Sequence, residues 1–453
     1  MFDTLTRMGA SGAGAYEIDR SLRFNSDDNT RLIRTPSSSA DDQKQTYSFW
    51  CKRTGIDQHK FIITAWNGSN TDRIGWQADN QFFIEFKDGG STEAEWHSTR
   101  LIRDPSAWYH FVVAIDTTLG TEADRMKAYM NGERITNWAT NDPVSQNYNL
   151  DAFGQSGKYH AIGAYTNSGS GTNKHFNGYI ADFHFIDGAQ KAPTDFGKTD
   201  PDTGQWIPIE YKGTYGSQGW YLDFSDNSGT TSTTLGKDRS GNDNDWSVNN
   251  FSVAAGAGND SVTDTPTNNF CTINPLYPTN VTCSKGNLDV TTGNADAWGA
   301  STFKIPESGK WFYECTLTSA NNPYGGQIGA AIYDGNARIG YYNDGQKVVN
   351  GTWSSYGNTL TTNDVVGCAI NRDDGEVTFY KNGTSQGTIT SCFTAGKEYY
   401  VIATDGSSSA GDTYSFNFGQ RAFAHTIPTG YKTLCTANLP TPTIKKGSDY
   451  FNT

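Results

Sequence analysis

Stretches in which apolar and polar residues alternate recur along most of the chain. In QFFIEFKDGG (81–90), Phe82, Ile84 and Phe86 fall on one face and the residues between them on the other. A period of two predicts a β-strand with one buried face, because successive side chains point to opposite sides of a sheet. MKAYM (126–130) shows the same alternation. Strands of this kind, separated by turn residues at intervals of roughly ten residues, are typical of antiparallel sandwiches.

Two Asn-Gly pairs predict tight hairpins in distant parts of the chain. Asn131-Gly132 lies within AYMNGERI, and Asn382-Gly383 lies within FYKNGTSQGTI. A two-residue type I′ turn needs positive φ at both central positions, which Asn and Gly adopt at low cost. Because any antiparallel sheet can use this turn, only the flanking residues can decide between a repeat and two different domains.

The domain organisation is predicted from the lack of helical patterns and from a polar stretch typical of a linker. No segment has a convincing helical period, and the best candidate is one turn near APTDFG (192–197). The polar stretch AAGAGNDSVTDTPTNNF (254–270) has almost no apolar content and is typical of an inter-domain linker. The sequence therefore predicts an N-terminal anchoring arm, a first sandwich with its connector, a linker, a second sandwich and an extended tail, at 1–20, 21–253, 254–270, 271–436 and 437–453.

Composition agrees with this prediction. The 453 residues include 49 glycines, and 13% are aromatic while only 18% are charged. Turn formers combined with aromatics favour short strands joined by many loops. The length allows roughly two or three domains. The predicted fold class is therefore all-β, with two antiparallel β-sandwiches in tandem.

Charge and hydropathy argue against two classes of partner. The net charge is −13, and no basic cluster is longer than IKKG (444–447). Nucleic acid is therefore not expected, because duplex binding needs clustered Lys and Arg. No apolar run approaches the roughly 18 residues of a membrane span, so membrane insertion is not expected either.

The N-terminus and the cysteines bear on the compartment. Residues 1–19 lack the charged and apolar regions of a secretory signal. The 7 cysteines form no Cys-x-x-Cys pair, and most lie in apolar contexts such as FYECTL, where a thiol acts as a small hydrophobe. We therefore expect free thiols in a chain that folds in a reducing cytoplasm.

The residues around the first Asn-Gly pair resemble the LamG, or concanavalin A-like, jelly roll. Members of this family show a Trp-containing strand ending in Asp, a Tyr-x-Asn-Gly hairpin, and then Phe-x-Gly-x-Ile-x-x-Phe. The resemblance implies a jelly roll for the first sandwich. The matching residues are Trp108, Asp116, Tyr129, Asn131, Gly132, Gly163, Phe176, Gly178, Ile180 and Phe183.

The residues around the second pair are similar to a different family, the SPRY sandwich. Its motifs follow the order Asp-x-x-Gly-Cys, Phe-Tyr-x-Asn-Gly and Asn-Phe-Gly. The two hairpins are therefore expected to belong to two different sandwiches and not to a repeat. The matching residues are Trp311, Tyr313, Asp364, Gly367, Cys368, Phe379, Tyr380, Asn382, Gly383, Asn417, Phe418 and Gly419.

A glycan-cleaving enzyme is the catalytic alternative, because jelly rolls can carry paired carboxylates roughly 5–9 Å apart. Candidate pairs are Glu17 with Asp19 and Glu93 with Glu95, since residues i and i+2 share a strand face. The first pair lies in the Gly-rich arm and the second beside a turn. Carboxylates on a solvent face explain both pairs, so we expect neither catalytic residues nor enzymatic activity.

The loop LGKDRSGNDNDW (235–246) concentrates oxygen donors. Asp238, Asn242, Asp243 and Asp245 carry the ligand type that calcium prefers, but the loop lacks the Gly and Glu positions of an EF-hand. Asn and Asp also close turns on their own backbone. A structural turn and a calcium site both stay open, and no other cofactor is expected.

Aromatic loops of the second sandwich are the candidate ligand site. Rings stack on pyranose faces and amides bond hydroxyl groups, so exposed aromatics beside Asn and Asp are typical of sugar sites. In the SPRY resemblance, comparable loops form one binding end of the sandwich. The candidate ligand-binding residues are Tyr324, Tyr341, Asn343, Asp344, Trp353 and Tyr356.

Two longer phrases, IDRSLRFNSDDNTRLIRTPSS (18–38) and DSVTDTPTNNF (260–270), are similar to fibre and decoration proteins of marine bacteriophages. This resemblance implies a non-enzymatic virion protein of a tail or capsid fibre, made in the host cytoplasm and released by lysis. It implies binding to host surface glycan or protein, a homo-oligomer, and attachment to other virion proteins through the N-terminal arm. A decoration protein without a ligand is the first alternative, and a glycan-cleaving tail enzyme is the second.

Overall fold

The computed structural model describes residues 16–69, 71–166, 172–293, 297–320, 326–332, 338–405, 411–442 and 445–446. Their regular secondary structure is almost entirely β-strand, which confirms the predicted fold class. They divide into two compact units, called here the N-terminal and the C-terminal sandwich. The N-terminal sandwich runs to Val253 and also includes Asn259–Thr267, whereas the C-terminal sandwich includes Ala254–Gly258 and the described residues from Asn268 to 442.

Short antiparallel strands build the N-terminal sandwich. They are β1 (Ser21–Phe24), β2 (Arg31–Arg34), β3 (Lys44–Arg53), β4 (Lys60–Trp66), β5 (Thr71–Trp76), β6 (Gln81–Asp88), β7 (Ser91–Leu101), β8 (Tyr109–Asp116), β9 (Met126–Met130), β10 (Glu133–Arg134), β11 (Trp138–Asp142), β12 (Tyr159–Ile162), β13 (Tyr165–Thr166), β14 (Thr172–Asn173), β15 (Gly178–Asp187), β16 (Gly197–Thr199), β17 (Trp206–Pro208), β18 (Trp220–Leu222), β19 (Ser247–Asn249) and β20 (Ser261–Val262).

Two main sheets of this unit enclose an aromatic-rich core. One has the strand order β10-β9-β8-β3-β15-β1-β20, with β18 also pairing with β15, and the other has the order β11-β7-β6-β5-β4-β12-β2-β19. Phe82, Ile84 and Phe86 are all buried in the core, and so are Met126 and Met130. The predicted alternation of buried and more exposed positions is confirmed in β9, whereas β6 is buried on both faces and not on one.

The C-terminal sandwich is built in the same way from a different strand order. Its strands are β21 (Ile273–Thr279), β22 (Val281–Ser284), β23 (Asp289–Thr292), β24 (Ala297–Ile305), β25 (Lys310–Ser319), β26 (Gly326–Ile332), β27 (Arg338–Tyr342), β28 (Gln346–Val349), β29 (Thr352–Ser355), β30 (Val365–Asn371), β31 (Glu376–Lys381), β32 (Thr384–Ile389), β33 (Tyr399–Asp405), β34 (Thr413–Asn417) and β35 (Lys432–Thr433). One sheet has the order β21-β24-β33-β26-β27-β28-β29, and the facing sheet has the order β22-β23-β34-β25-β30-β31-β32, with β35 parallel to β25.

Helices are short in the described part of the chain. The turn predicted at 192–197 is a 3-10 helix, Pro193–Asp195, and a second 3-10 helix covers Thr436–Asn438. The single-turn helix α1 (Glu122–Arg125) was not predicted, since it buries no residue and shows no apolar stripe. Among the described residues, no helix is long and apolar enough to cross a membrane.

Both Asn-Gly pairs form the predicted hairpin turns. Asn131 and Gly132 have φ angles of 49° and 81°, and they join β9 to β10. Asn382 and Gly383 have φ angles of 48° and 78°, and they join β31 to β32. Positive φ at both central positions is the geometry of the type I′ turn.

Each hairpin Asn also ties its turn to the neighbouring strand. The Asn131 backbone N–H donates to the His110 carbonyl at 2.8 Å, and its side-chain Oδ1 accepts the His110 N–H at 2.8 Å. Asn382 makes the same two bonds with Val365, each at 2.8 Å. The same local hydrogen-bond pattern therefore occurs in two sandwiches with different strand orders.

Much of the stretch predicted as a linker, 254–270, is part of the folded units. Asp260 forms an ion pair with Arg23 at 2.9 Å, and Asp264 forms one with Lys52 at 2.9 Å. All four side chains are at least 95% buried, so residues 259–267 form a structural segment of the N-terminal sandwich. A run of isolated carboxylates gives no sign of its buried cationic partners, which is why composition alone was misleading.

The predicted arm and tail lie partly outside the described residues, namely at 1–15, 443–444 and 447–453. The Tyr16 hydroxyl donates to Asp182 at 2.8 Å, and Ile18 is buried. Tyr16 therefore docks on its own sandwich, and the anchoring role of the arm stays a prediction. In the tail, Leu439 packs into the core of the C-terminal sandwich.

All seven cysteines are free, and all except Cys283 are buried. This confirms the expectation of unpaired thiols that pack as small apolar groups. Burial raises the pKa of the Cys368 thiol to about 12, so this thiol is held in its protonated form at neutral pH.

Candidate functional site

Two of the predicted ligand residues lie inside the core of the C-terminal sandwich. Tyr341 is fully buried, and its hydroxyl donates to the Asn358 carbonyl. Asn343 is 1% exposed, and its Nδ2 donates to Asp412 Oδ2 at 2.6 Å. The prediction that Tyr341 and Asn343 contact a ligand is wrong, because the strand alternation in GYYNDGQ turns Tyr341 inward.

Asp344 and Tyr356 use their polar atoms within the protein. The Asp344 carboxylate accepts the Gln346 backbone N–H at 2.9 Å and its side-chain amide at 2.7 Å. Tyr356 is half-buried, and its hydroxyl donates to the Gly387 carbonyl and accepts the Phe379 N–H. Both residues order loops. Tyr324, the remaining tyrosine of the predicted set, lies outside the described residues.

Trp353 is the predicted residue that the structure leaves open to solvent. It is 45% exposed, and it lies on the edge strand β29, all four residues of which are exposed. Its indole packs against the Tyr342 ring with centroids 4.2 Å apart. Tyr342 is itself 4% exposed. The Trp353 indole is therefore exposed to solvent while it packs on the buried Tyr342 ring.

Trp353 belongs to a row of residues that crosses the outer face of its sheet. It lies opposite Val348, which lies opposite Gly340, which in turn lies opposite Gly329. Directly paired residues share one face of a sheet. Two adjacent glycines therefore form a floor without side chains in this row; the floor is buried, and Val348 lies between it and the exposed indole.

An arginine and two further aromatics surround this floor. Arg338 on β27 lies in the row next to the glycines, and its guanidinium carbon is 5.6 Å from the Trp298 ring centroid and 5.9 Å from that of Trp353. Tyr400 lies in the same row as Arg338, separated from it by Ala331. Trp298 and Tyr400 are half-buried over small residues of the sheet. The aromatic face is defined here as Trp298, Arg338, Tyr342, Trp353 and Tyr400.

Sequence reasoning found Trp353 but missed Arg338, Trp298 and Tyr400. A usable signal existed, since these residues take outward positions in strands whose alternate residues are buried, as in AWGASTFKI (297–305) and ARIGYY (337–342). What the sequence could not supply was the strand order that places them on one face.

The loop proposed for calcium is a network of turn hydrogen bonds. Asp238 Oδ1 accepts the backbone N–H of Tyr221 and of Ser240, each at 2.8 Å. Its Oδ2 accepts the Ser240 hydroxyl at 2.8 Å and the Asn244 N–H at 2.9 Å. A carboxylate has roughly four acceptor sites, so protein donors fill those of Asp238.

The other three residues of that loop fit the same interpretation. Asp245 accepts the Asp238 N–H at 2.8 Å, and the Asn242 amide donates to the Gly219 carbonyl at 3.0 Å. Asp243 takes a turn conformation with φ 56°. Among the described residues, no group of three or more His, Cys, Asp or Glu is placed to hold a metal ion. The geometry favours the structural turn, and calcium binding stays a prediction.

The carboxylates considered for catalysis are separated or already paired. Glu17 and Asp19 are exposed at the start of the described chain. Glu93 accepts the Ser145 N–H at 3.0 Å. These three carboxylates therefore serve solvation and loop structure.

Glu95 lies directly opposite Glu85 on the neighbouring strand, a juxtaposition that the sequence did not indicate. Each of the two has its own partner. Glu95 contacts His97 at 2.8 Å, and Glu85 accepts a hydrogen bond from Arg73 Nε at 2.6 Å. Opposed carboxylates repel each other, and the contacts of Glu95 with His97 and of Glu85 with Arg73 account for their stability without a reaction.

The two sandwiches match two known domain families. Residues 27–194 match the sequence model of the concanavalin A-like lectin/glucanases superfamily, and residues 313–421 match that of the SPRY domain. The chain therefore carries a LamG/concanavalin A-like jelly roll followed by a SPRY domain, as the sequence predicted. Both are typically binding domains, although the first description also includes glucanases.

Individual relatives overlap the chain only in part. It is 29% identical over 154 residues to the probable ATP-dependent RNA helicase ddx1 of Dictyostelium discoideum, which covers 32% of this chain and 19% of that protein. The chain thus spans about a fifth of that relative's length.

Among solved structures, the SPRY domain of human HERC1 is 17% identical and matches 33% of this chain and 99% of its own, with a TM-score of 0.30. The heptameric SAP-like pentraxin of Limulus polyphemus is 19% identical and matches 39% of this chain and 80% of its own, with a TM-score of 0.31. These similarities carry no information about ligand or partner.

Proposed function

We propose that this chain is a non-catalytic recognition protein that binds cell-surface glycan through the aromatic face of its C-terminal sandwich. The observation that carries the proposal is the exposed Trp353 indole, which packs on the Tyr342 ring at the edge of the sheet. An indole presents a flat apolar surface to the C–H face of a pyranose, and its N–H can bond a hydroxyl group. An open sheet face suits an extended saccharide chain better than a small enclosed molecule.

Binding without cleavage agrees with the carboxylates of the N-terminal sandwich. Hydrolysis of a glycosidic bond needs one carboxyl group that can donate a proton and a second that can attack or activate water. Glu95 and Glu85 are instead engaged by His97 and Arg73. Both domain types are typically binding domains, which favours binding without cleavage.

The proposal includes a place for the protein, which is a tail or capsid fibre of a bacteriophage particle. Its support is the similarity of IDRSLRFNSDDNTRLIRTPSS and DSVTDTPTNNF to fibre and decoration proteins of marine phages. The glycan would then belong to the host surface, and other virion proteins and further copies of the chain would be its partners. Mass spectrometry of purified phage particles tests this part, because a protein absent from them is not a virion component.

The binding part is tested with immobilised host envelope polysaccharide. Trp353→Ala is expected to weaken binding at least tenfold, because it removes the stacking surface. Leu276→Ala is the matched control, since Leu276 is an exposed apolar residue, 54% accessible, on β21 at the other edge of the same sheet. Equal losses of binding in the two variants would contradict this site. If the wild type gives the same signal on a support without polysaccharide, the decoration protein without a ligand is favoured.

The same incubation decides the enzymatic alternative. No new reducing ends are expected to appear when the protein and the polysaccharide are left together. If reducing ends do appear and Glu93→Gln or Glu95→Gln abolishes them, the protein is a glycan-cleaving enzyme.

A further inference from the structure

We infer that the glycan taken by the aromatic face is acidic, and that Arg338 binds its carboxylate. This inference rests on the proposed function and adds the class of saccharide. Its basis is the environment of the Arg338 guanidinium, which differs from that of the other arginines that lie near aromatic rings.

The Arg338 side chain lies near two indoles and has no anionic partner among the described residues. Its guanidinium carbon is within 6 Å of the Trp298 and Trp353 centroids. Within the described part of the chain, no carboxylate and no hydrogen-bond acceptor is paired with this guanidinium. Arg338 is partly exposed, and none of its nitrogens is a buried, unpaired atom of that part, so the guanidinium reaches solvent.

Stacking on a ring leaves the binding edge of an arginine open. The guanidinium is planar, and its five N–H donors lie in that plane, so a ring against its face does not occupy them. The two free donors of one edge match the two oxygens of a carboxylate. Arg338 is thus held in place by the indoles with its anion-binding edge available.

Two other arginines of the chain lie near aromatic rings and have a structural role. Arg73 lies 5.3 Å from the Phe83 ring and gives its Nε hydrogen to Glu85. Arg53 lies 4.8 Å from the Trp76 ring and donates to the Ile102 carbonyl. In both, in-plane donors bond to acceptors inside the protein, and the one left over on Arg53, Nε, is buried.

Arg372 is the useful contrast, because it also has unpaired nitrogens. Its guanidinium carbon is 4.2 Å from the Phe393 ring, but the unpaired Nε and Nη1 atoms are buried and cannot reach a ligand. Arg338 combines stacked rings, unpaired donors and access to solvent. That combination is the one a ligand site needs.

The neighbouring rings favour a saccharide as the source of the carboxylate. A uronic or sialic acid unit carries its carboxylate on the sugar ring itself. With the carboxylate on Arg338, the sugar ring would be placed beside the flanking indole, where its C–H face can stack on Trp353. An acidic peptide offers the same charge without this flat apolar face.

Matched acidic and neutral probes test the inference. Isothermal titration would use polygalacturonate, hyaluronate and polysialate, each beside its carboxyl-reduced form, in which every carboxylate is replaced by an alcohol. At least one acidic probe is expected to bind ten times or more tightly than its reduced form, with a preference that weakens as salt is added. Arg338→Gln should abolish the preference while keeping residual Trp353-dependent binding, and Arg338→Lys should restore part of it.

Arg103→Gln is the control variant, because it removes the same charge from an exposed position in the N-terminal sandwich and should leave the preference intact. Equal binding of acidic and reduced probes, still lost in Trp353→Ala, overturns the inference and leaves the proposed function standing. Binding of none of the probes counts against both. Arg338-dependent binding of polyglutamate without any saccharide binding assigns the site to an acidic peptide and also overturns the inference.

Discussion

At the residue scale, His110 shows how a buried polar group is fixed in one protonation state. Its Nε2 is 2.8 Å from the Ser48 hydroxyl, and its Nδ1 lies 3.0 Å from Trp206 Nε1. An indole N–H can only donate, so Nδ1 must accept, and the imidazole is neutral with its hydrogen on Nε2. Protonation of His110 at Nδ1 would place its N–H donor against the N–H donor of Trp206.

This arrangement predicts acid sensitivity of the N-terminal sandwich. Burial lowers the pKa of His110 to about 3, below the value of about 6.5 in an unfolded chain. The unfolded state therefore binds a proton first, and the contribution of His110 to stability, complete above pH 6.5, is lost as the pH falls toward 3. Urea unfolding between pH 7 and pH 4 should show a steeper loss in the wild type than in His110→Gln. Parallel curves for the two proteins would contradict this assignment.

At the element scale, the segment 259–267 shows which parts of the fold the sequence could predict. The strand β6 and both Asn-Gly hairpins were predictable, because alternation and turn chemistry are local. The segment was missed because its role depends on Arg23 and Lys52, which are more than two hundred positions away. The aromatic face was missed for the same reason, since the contact between Arg338 and Trp298 depends on strand order.

The buried pair of Lys52 and Asp264 gives the prediction at this scale. Both side chains are 0% exposed, and Trp108 Nε1 also donates to Asp264 at 3.0 Å. Asp264→Asn removes the negative charge beside the buried Lys52 ammonium and should cost roughly 3–5 kcal/mol of unfolding free energy. Lys52→Met combined with Asp264→Asn should recover part of the loss, as measured by urea unfolding. A single variant as stable as the wild type would show that the segment is not part of the folded unit.

At the scale of the whole molecule, the chain passes between its two units more than once. It leaves the N-terminal sandwich after Val253, contributes Ala254–Gly258 to the C-terminal sandwich, returns for Asn259–Thr267 and leaves again. Residues 254–256 and Gly258 are exposed, so this stretch is open to protease. The first unit thus depends on a strand that follows the expected cleavage site.

A single cut at 254–258 is therefore expected to nick the protein without separating its parts. The nicked chain should give two bands on a denaturing gel and one peak in gel filtration, because β20 stays paired with β1. Separation should require a second cut after Thr267. Two independent folded fragments after the first cut would contradict the role given to residues 259–267.

The proposed function places the ligand on the aromatic face. The most direct test follows the indole N–H signals of the protein's 12 tryptophans by nuclear magnetic resonance during titration with host surface polysaccharide, with Trp353→Phe and Trp298→Phe assigning the two signals. Binding at the aromatic face should shift the Trp353 and Trp298 signals in proportion to occupancy, while the signal of Trp76, which is fully buried in the N-terminal core, stays in place. Saturable binding that leaves the Trp353 and Trp298 signals unmoved would contradict binding at that face.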